Sequence, residues 1–105
     1  MAYPDLYRDL GLPELPGGTV ASTGRQTTSL RDGITIRVTT SMPVAEARDY
    51  YSGALRELGW EEAPTRGVPG APMAGLLATK DGLTYMATIT AIGDATQINL
   101  NLHDR

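Results

Sequence analysis

Apolar and polar residues alternate along three stretches of the chain, in the period-2 pattern of half-buried β-strands. These stretches are GITIRVTT (33–40), LTYMATITAI (83–92) and TQINLNLH (96–103). Two more strands are predicted at TVASTGRQTT (19–28), which is rich in threonine, and at MAGLLAT (73–79). The pattern therefore predicts five strands.

A helix is predicted between the second and third of these strands. Apolar residues recur there at three- and four-residue steps, which places them on one stripe facing a sheet. The stripe comprises Val44, Ala47, Tyr51, Ala54 or Leu55, and Leu58. Pro43 suits the first helical position, with Ser41 or Met42 as the cap. Gly59 suits the left-handed position that ends a helix.

Turn-forming residues separate the elements. Asp32-Gly33, Lys80-Asp81-Gly82 and Gly93-Asp94 each suit a hairpin turn. The stretch EEAPTRGVPGAP (61–72) contains three prolines and two glycines, so it is predicted to be a loop. It is long for a connection within a compact domain, which indicates a mobile or functional segment.

The N-terminal residues 1–18 are rich in proline and glycine and are predicted to form an extended lead-in. A short helical turn is predicted after Pro4, with Leu6 and Leu10 on one side. Residues 19–105 are predicted to form a single α+β domain.

The order of elements is β-β-α-β-β-β, which predicts an α+β two-layer sandwich, a mainly antiparallel sheet with one helix packed on one face. Counting the strands along the chain, an all-antiparallel sheet is expected in the order 2-1-5-4-3.

Composition narrows the functional classes. The chain has 105 residues, which suits one domain of ordinary size. It contains no cysteine, so disulfides, thiolate nucleophiles and cysteine metal sites are excluded. The net charge is −3, and the nine basic and twelve acidic residues are scattered. This distribution argues against a nucleic-acid partner and against a polybasic membrane surface.

Membrane insertion is not expected, because no apolar run approaches the roughly 18 residues of a membrane span. The first residues, MAYPDLYRDL, lack the basic and apolar regions of a signal peptide. A leader removed before Met1 stays possible. The location is therefore left open between cytoplasmic and extracytoplasmic.

Three stretches resemble a pattern in small uncharacterised bacterial domains: ELPGGTVAST, ITIRVTTSMPVAEARDYYSGALRELGWEE and LLATKDGLTYMATI. Those domains are often found in secreted or lipid-anchored proteins. They combine a Pro-Gly lead-in, a strand, a helix ending in Gly-Trp and a β-meander. The similarity runs from about Glu14 to Leu102; it implies a fold and carries no established catalytic residues. This chain differs in lacking a lipobox cysteine and in having Tyr-Tyr where Phe-Tyr is common.

The sheet face away from the helix is predicted to be polar. It would show Thr35, Arg37, Thr39, Thr84, Met86, Thr88, Thr90, Gln97, Asn99, Asn101 and His103. An antiparallel sheet commonly has one solvated face, so plain solvation is one interpretation. Self-association by face stacking or edge pairing is a second. A ligand platform, with Arg37 anchoring an anionic or polar group, is a third. Met86 and Ile92 would add apolar contacts to either of the last two.

Catalytic and metal-binding motifs are absent from the sequence. His103 is the only histidine, and no metal or cofactor is expected. Ser52-Gly53 lies within the predicted helix rather than in a nucleophile elbow. The glycine pairs lack the Lys-Ser/Thr of a phosphate-binding loop. Glu61 and Glu62 are adjacent in an extended segment, so they should point to opposite sides.

The aromatic residues near the helix end are assigned different places. Tyr51 belongs to the apolar stripe, whereas Tyr50 lies about 100° round the helix, at its margin. Trp60 follows the glycine stop and can fold back on the last turn. A pocket is predicted between the helix end and loop 61–72, with Tyr50, Trp60 and Arg66 as its residues of interest.

Together these patterns predict a non-enzymatic accessory or protein-binding module that associates with itself or with another protein. The contact would use the Thr/Asn-rich sheet face or an edge strand. The alternatives are a small enzyme of isomerase or cyclase type, using Tyr50 or Arg37, and a binder of a small polar molecule under loop 61–72. The candidate ligand or interface residues are Arg37, Tyr50, Trp60, Arg66, Met86, Asn99 and Asn101.

Overall fold

The computed structural model describes residues 3–27, 32–63 and 73–104. These residues form two helices, α1 (Asp5–Asp9) and α2 (Val44–Glu57). They also form six strands: β1 (Thr19–Thr27), β2 (Asp32–Thr40), β3 (Glu61–Glu62), β4 (Met73–Lys80), β5 (Leu83–Ile92) and β6 (Ala95–Asp104). The five predicted strands and the main helix are all present, and β3 adds a short strand at the start of the predicted loop.

The α+β class is confirmed, because the strands form one antiparallel sheet with α2 packed against it. Their order is β1-β2-β6-β5-β4-β3. The expected order is wrong for the first two strands, since β2 rather than β1 pairs with β6. In this register Ile36 and Val38 lie beside Leu100 and Ile98. Strand β2, which has the larger apolar side chains, is therefore an interior strand, and the threonine-rich β1 lies at the edge.

One face of the sheet carries the core. Ile36 lies beside Leu100, which in turn lies beside Ala87 on β5, and all three are buried. Helix α2 adds Ala47, Tyr51 and Leu55 to the same side. Leu58, predicted on the helical stripe, is instead exposed in the last turn.

Helix α2 begins at Val44, one residue later than predicted. Pro43 is its N-cap, with an extended ψ of 150°, and no side chain caps the first turn. Ser41 and Met42 are therefore not caps, and the amide of Met42 instead donates to Thr40 Oγ1 at 3.2 Å.

The predicted glycine stop of α2 is confirmed. Gly59 has a φ of 88°, in the left-handed region. Its amide donates to the Arg56 carbonyl at 3.0 Å, and the Trp60 amide donates to the Leu55 carbonyl at 2.9 Å. These two bonds are those of a Schellman motif, and they place Trp60 over the end of the helix.

Two of the three predicted turns are confirmed. Asp81-Gly82 connects β4 to β5 with φ values of 50° and 80°, and Gly93-Asp94 connects β5 to β6. Asp32-Gly33 is not a turn, because both residues are paired with β1 in the ladder. The residues 28–31 that connect β1 to β2 lie outside the described residues.

The lead-in contributes to the core. Tyr7, Leu12 and Leu15 are buried in the same apolar cluster as the sheet and α2. Leu6 and Leu10, which were predicted to share one side, are exposed, and Tyr7 is the buried residue of α1. Neither of the helices in the described segments is long and apolar enough to cross a membrane.

Candidate functional site

The sheet face opposite α2, here called the open face, carries the side chains that alternate with the core positions. Among the predicted site residues, it brings together Arg37 on β2, Asn99 and Asn101 on β6, and Met86 on β5. No helix in the described parts of the chain packs on this side. The predicted polar face therefore exists as a continuous surface over β2, β6, β5 and β4.

The polar half of the open face is held by hydrogen bonds between neighbouring strands. Thr35 Oγ1 donates to Asn101 Oδ1 at 3.1 Å. Arg37 Nε approaches Asn99 Oδ1 at 3.5 Å, the outer limit for a hydrogen bond. Arg37 is exposed, so most of its guanidinium donors face water and are available to a partner.

The other half of the open face, on β4 and β5, carries exposed apolar residues among four threonines. Met73 on β4 is 57% exposed, and Met86 and Ile92 on β5 are 39% and 53% exposed. Leu77 lies beside Met86 on the neighbouring strand and is half-buried. The remaining large exposed apolar residues of the described chain lie elsewhere: Leu6, Leu10 and Leu58. Three of the six large exposed apolar residues of the described chain therefore lie on β4 and β5.

Two charged residues lie on the open face among the described residues, on opposite sides of β4 and β5. Arg37 is on β2, and Glu61 is on β3 at the far edge of the sheet. Glu61 pairs with Thr79, so its side chain projects on the open side, whereas Glu62 pairs with the core residue Ala78. The expectation that the two glutamates point to opposite sides is confirmed.

The edge strand β1 is irregular. The pairing with β2 shifts between Val20 and Ser22, so Ala21 is an extra residue in the ladder. A bulge twists an edge strand and interrupts the row of free amides and carbonyls that another strand would need. The β1 edge is therefore a poorer contact surface than the open face.

Tyr50 and Trp60 lie on the core side of the sheet, away from Arg37. The Tyr50 hydroxyl donates to the Glu14 carbonyl at 2.9 Å, and burial raises its pKa. Trp60 is buried and packs edge-on against Tyr85, with ring centroids 5.9 Å apart. Arg66 lies outside the described residues, so its predicted place beside these two stays a prediction.

Sequence reasoning missed a tyrosine network between the lead-in and the sheet. The Tyr7 hydroxyl donates to the Pro13 carbonyl, and the hydroxyls of Tyr7 and Tyr85 lie 2.9 Å apart. Because Tyr7 uses its only proton on Pro13, Tyr85 donates to Tyr7. Burial raises the pKa of Tyr7, Tyr51 and Tyr85. At neutral pH these hydroxyls are neutral structural groups rather than groups ready to ionise.

A second missed cluster surrounds Glu62. Ser52 Oγ donates to Glu62 Oε2 at 2.6 Å, Arg56 is 3.3 Å from the same oxygen, and Arg48 is 3.6 Å from Oε1. Ser52 is buried, and its hydroxyl is committed to this carboxylate. The sequence did contain a signal for this cluster. Arg48, Ser52 and Arg56 are spaced by four residues, which places them on one side of the helix. The cluster ties α2 to β3.

The described residues contain no group of three or more His, Cys, Asp or Glu side chains arranged to hold a metal ion. No family model matches the chain, and neither the curated proteins nor the solved structures include a significant match to it. The similarity to small bacterial domains therefore stays a prediction.

Proposed function

We propose that this domain is a non-enzymatic binding module that contacts a protein through the open face of its sheet. The observation that supports this most directly is the exposure of Met73, Met86 and Ile92 on a face without a covering helix in the described structure. Met73 and Ile92 lie towards one end of this face and Met86 lies nearer its middle, so a partner covering the face would bury all three side chains.

The open face is favoured over the β1 edge as the contact surface. The bulge at Ala21 disrupts the row of backbone groups on β1 that strand addition would use. The open face, by contrast, offers apolar contacts on β4 and β5 beside the exposed guanidinium of Arg37. In this proposal the domain has two layers, with α2 and the lead-in on one side of the sheet and the partner on the other.

The enzyme and small-ligand alternatives receive less support from the described residues. Tyr50 and Arg37, the two residues considered for catalysis, lie on opposite sides of the sheet. The Tyr50 hydroxyl is bonded to the lead-in, and the raised pKa makes it a weak acid. Residues 64–72, which would cap the predicted pocket, lie outside the described residues.

The proposal is tested by placing a charge among the exposed apolar residues of the open face. Met86→Glu should abolish concentration-dependent association in sedimentation velocity, and it should also abolish recovery of a protein partner in a pull-down. Leu6→Glu is the matched control, because Leu6 is exposed on α1, which lies away from the open face. It should leave both measurements unchanged.

The proposal fails if the unaltered protein is monomeric at all concentrations and recovers no partner. It also fails if association or recovery is the same in the Met86→Glu variant as in the unaltered protein. Circular dichroism and a urea transition confirm that the variants are folded before the comparison is made.

A further inference from the structure

We infer that the partner at the open face is a second copy of this chain, bound face to face about a two-fold axis that passes over Met86. This inference rests on the proposed function and specifies its partner. The position of Met86 relative to the two charged residues of the open face carries the argument.

The strand register places Met86 midway between Arg37 and Glu61. Across the sheet, β6, β5 and β4 separate β2 from β3, so β5 is the middle strand. Along the strands, Arg37 pairs with Asn99 of β6, which pairs with Thr88 of β5. On the other side, Glu61 pairs with Thr79 of β4, which pairs with Thr84 of β5.

Met86 lies between Thr84 and Thr88 on the same face. From sheet geometry, each charged residue is therefore displaced from Met86 by about 10 Å across the strands and about 7 Å along them, in opposite directions.

Consider a two-fold axis that lies between two stacked sheets and runs parallel to them. It carries each residue of one sheet onto the other sheet, at the same distance from the axis but on its opposite side. An axis over Met86, perpendicular to the line from Arg37 to Glu61, places Met86 against its own copy. The same operation places each Arg37 opposite the Glu61 of the other copy, so two equivalent ion pairs form. Isologous interfaces of this kind are self-complementary, and the open face has the required arrangement of charge.

The area and composition of the face also suit a second copy. The four strands of the open face, of eight to ten residues each, cover roughly 19 Å by 30 Å, or about 570 Å² in projection. This is of the order of the ~800 Å² of accessible surface per partner in a typical stable interface, because side-chain relief adds to the projected area. The central positions, Met86 and Leu77, are uncharged, so the centre of the interface desolvates no charge.

Charge reversal at the two ends of the face tests the inference. Arg37→Glu leaves two negative residues on the face, and Glu61→Arg leaves two positive ones. Each variant alone should repel its own copy and raise the dimer dissociation constant by about tenfold or more. An equimolar mixture of R37E and E61R should form a heterodimer, because both pairs are then attractive. The double variant R37E/E61R should again form a homodimer.

Sedimentation and native mass spectrometry measure these states, since the mass spectrum distinguishes the mixed dimer from the two homodimers. The controls are R8E and E46R, which reverse charges exposed on α1 and α2 and alter the net charge as R37E and E61R do. Both controls should dimerise like the unaltered chain. Circular dichroism verifies that each variant is folded.

The inference is overturned if the unaltered chain is monomeric, if the single reversals dimerise normally, or if the mixture forms no heterodimer. Its failure is distinguishable from that of the proposed function. Recovery of a different protein by a monomeric chain, with loss of that recovery in the Met86→Glu variant, would preserve the binding function and reject the second copy.

Discussion

The hydroxyls of Tyr7 and Tyr85 lie 2.9 Å apart, although 78 positions separate the two residues in the chain. Tyr7 belongs to the lead-in and Tyr85 to a strand within the sheet, and both are buried. Tyr3 stacks on Tyr7 with ring centroids 5.0 Å apart. The lead-in is therefore packed into the core beside α2, and we expect the stability of the domain to depend on it.

Truncating Tyr7 should destabilise the domain strongly. Tyr7→Ala removes a buried ring and leaves a cavity, so the free energy of unfolding should fall by about 3–5 kcal/mol. Tyr7→Phe keeps the ring but leaves the Tyr85 hydroxyl and the Pro13 carbonyl without their partner, which should cost about 1–3 kcal/mol. Urea denaturation followed by tryptophan fluorescence measures both, because Trp60 packs against Tyr85.

Leu6→Ala is the control for Tyr7, since Leu6 lies in the same short helix and is exposed. It should change the free energy of unfolding by no more than about 0.5 kcal/mol. Equal effects of the alanine substitutions at Tyr7 and Leu6 would show that the lead-in does not contribute to the core as described.

Alkaline pH should unfold the domain because five tyrosines have raised pKa values. Burial is the main cause for each of them: Tyr3, Tyr7, Tyr50, Tyr51 and Tyr85. In the unfolded chain these groups ionise near pH 10, at their ordinary pKa. Above that pH the unfolded state releases protons that the folded state retains, so the free energy of unfolding falls as pH rises. The stabilisation is fully present below about pH 10.

Urea transitions at increasing pH, combined with tyrosinate absorbance, measure this dependence. Tyr51→Phe is the informative variant, because the Tyr51 hydroxyl is buried and makes no hydrogen bond of normal geometry with the described residues, although the Tyr3 hydroxyl is a polar neighbour. It should cost little at neutral pH and should flatten the loss of stability above about pH 10. A stability that is constant through the tyrosine titration would contradict the burial of these hydroxyls.

The regular parts of the fold were predictable from local pattern. The alternation in 83–92 gave β5 with the bounds that the structure shows, and Gly59 marked the end of α2. The alternation and the glycine stop each depend only on residues that are close together in the sequence. The order of β1 and β2 was not predictable in the same way, because it depends on which strand fits best beside β6.

The side-chain clusters were harder to predict because their members are distant in sequence. Nothing near Tyr7 indicates that it meets Tyr85, and nothing near Glu62 indicates that it accepts a bond from Ser52. For the open face, alternation correctly placed Arg37, Asn99 and Asn101 on one side. That Arg37 and Glu61 lie on opposite sides of Met86 could be recognised only from the register of the strand pairings.

Substitutions of the glycine inside α2 and of the glycine just past its end should have opposite effects. Gly59 has a φ of 88°, so Gly59→Ala forces a side chain into the left-handed region and should cost about 1 kcal/mol or more. The cost comes from the backbone, because a Cβ there would approach nothing closer than 3.7 Å. Gly53 is inside the helix, exposed, and has open space where a Cβ would be. Gly53→Ala should therefore stabilise the domain by about 0.5–1 kcal/mol.

Thermal unfolding of the two variants beside the unaltered chain decides this prediction. The unfolding temperature should fall for the variant at Gly59 and rise for the variant at Gly53. Shifts in the same direction would mean that the helix does not end at Gly59 in the left-handed geometry.

The adjacent residues Glu61 and Glu62 should differ in their contribution to stability. Glu62 accepts a bond from the buried Ser52 and lies within ion-pair distance of Arg48 and Arg56, whereas Glu61 is exposed on the open side. Glu62→Gln should lower the free energy of unfolding by about 1–2 kcal/mol. The loss comes from the Arg48 pair and from the Ser52 bond, which an uncharged amide oxygen accepts more weakly than a carboxylate; Arg56 is largely exposed and its pair is weak.

Glu61→Gln is the matched control and should be neutral when the protein is dilute enough for self-association not to contribute. The difference between the two variants should shrink at high salt, since ions screen the contribution of the guanidinium groups but not that of the serine hydrogen bond. Some difference between the two glutamine variants should remain at high salt. If that difference disappears when Ser52 is also changed to alanine, it comes from the Ser52–Glu62 bond. Equal stability of both glutamine variants at low salt would instead show that the cluster does not hold α2 against β3.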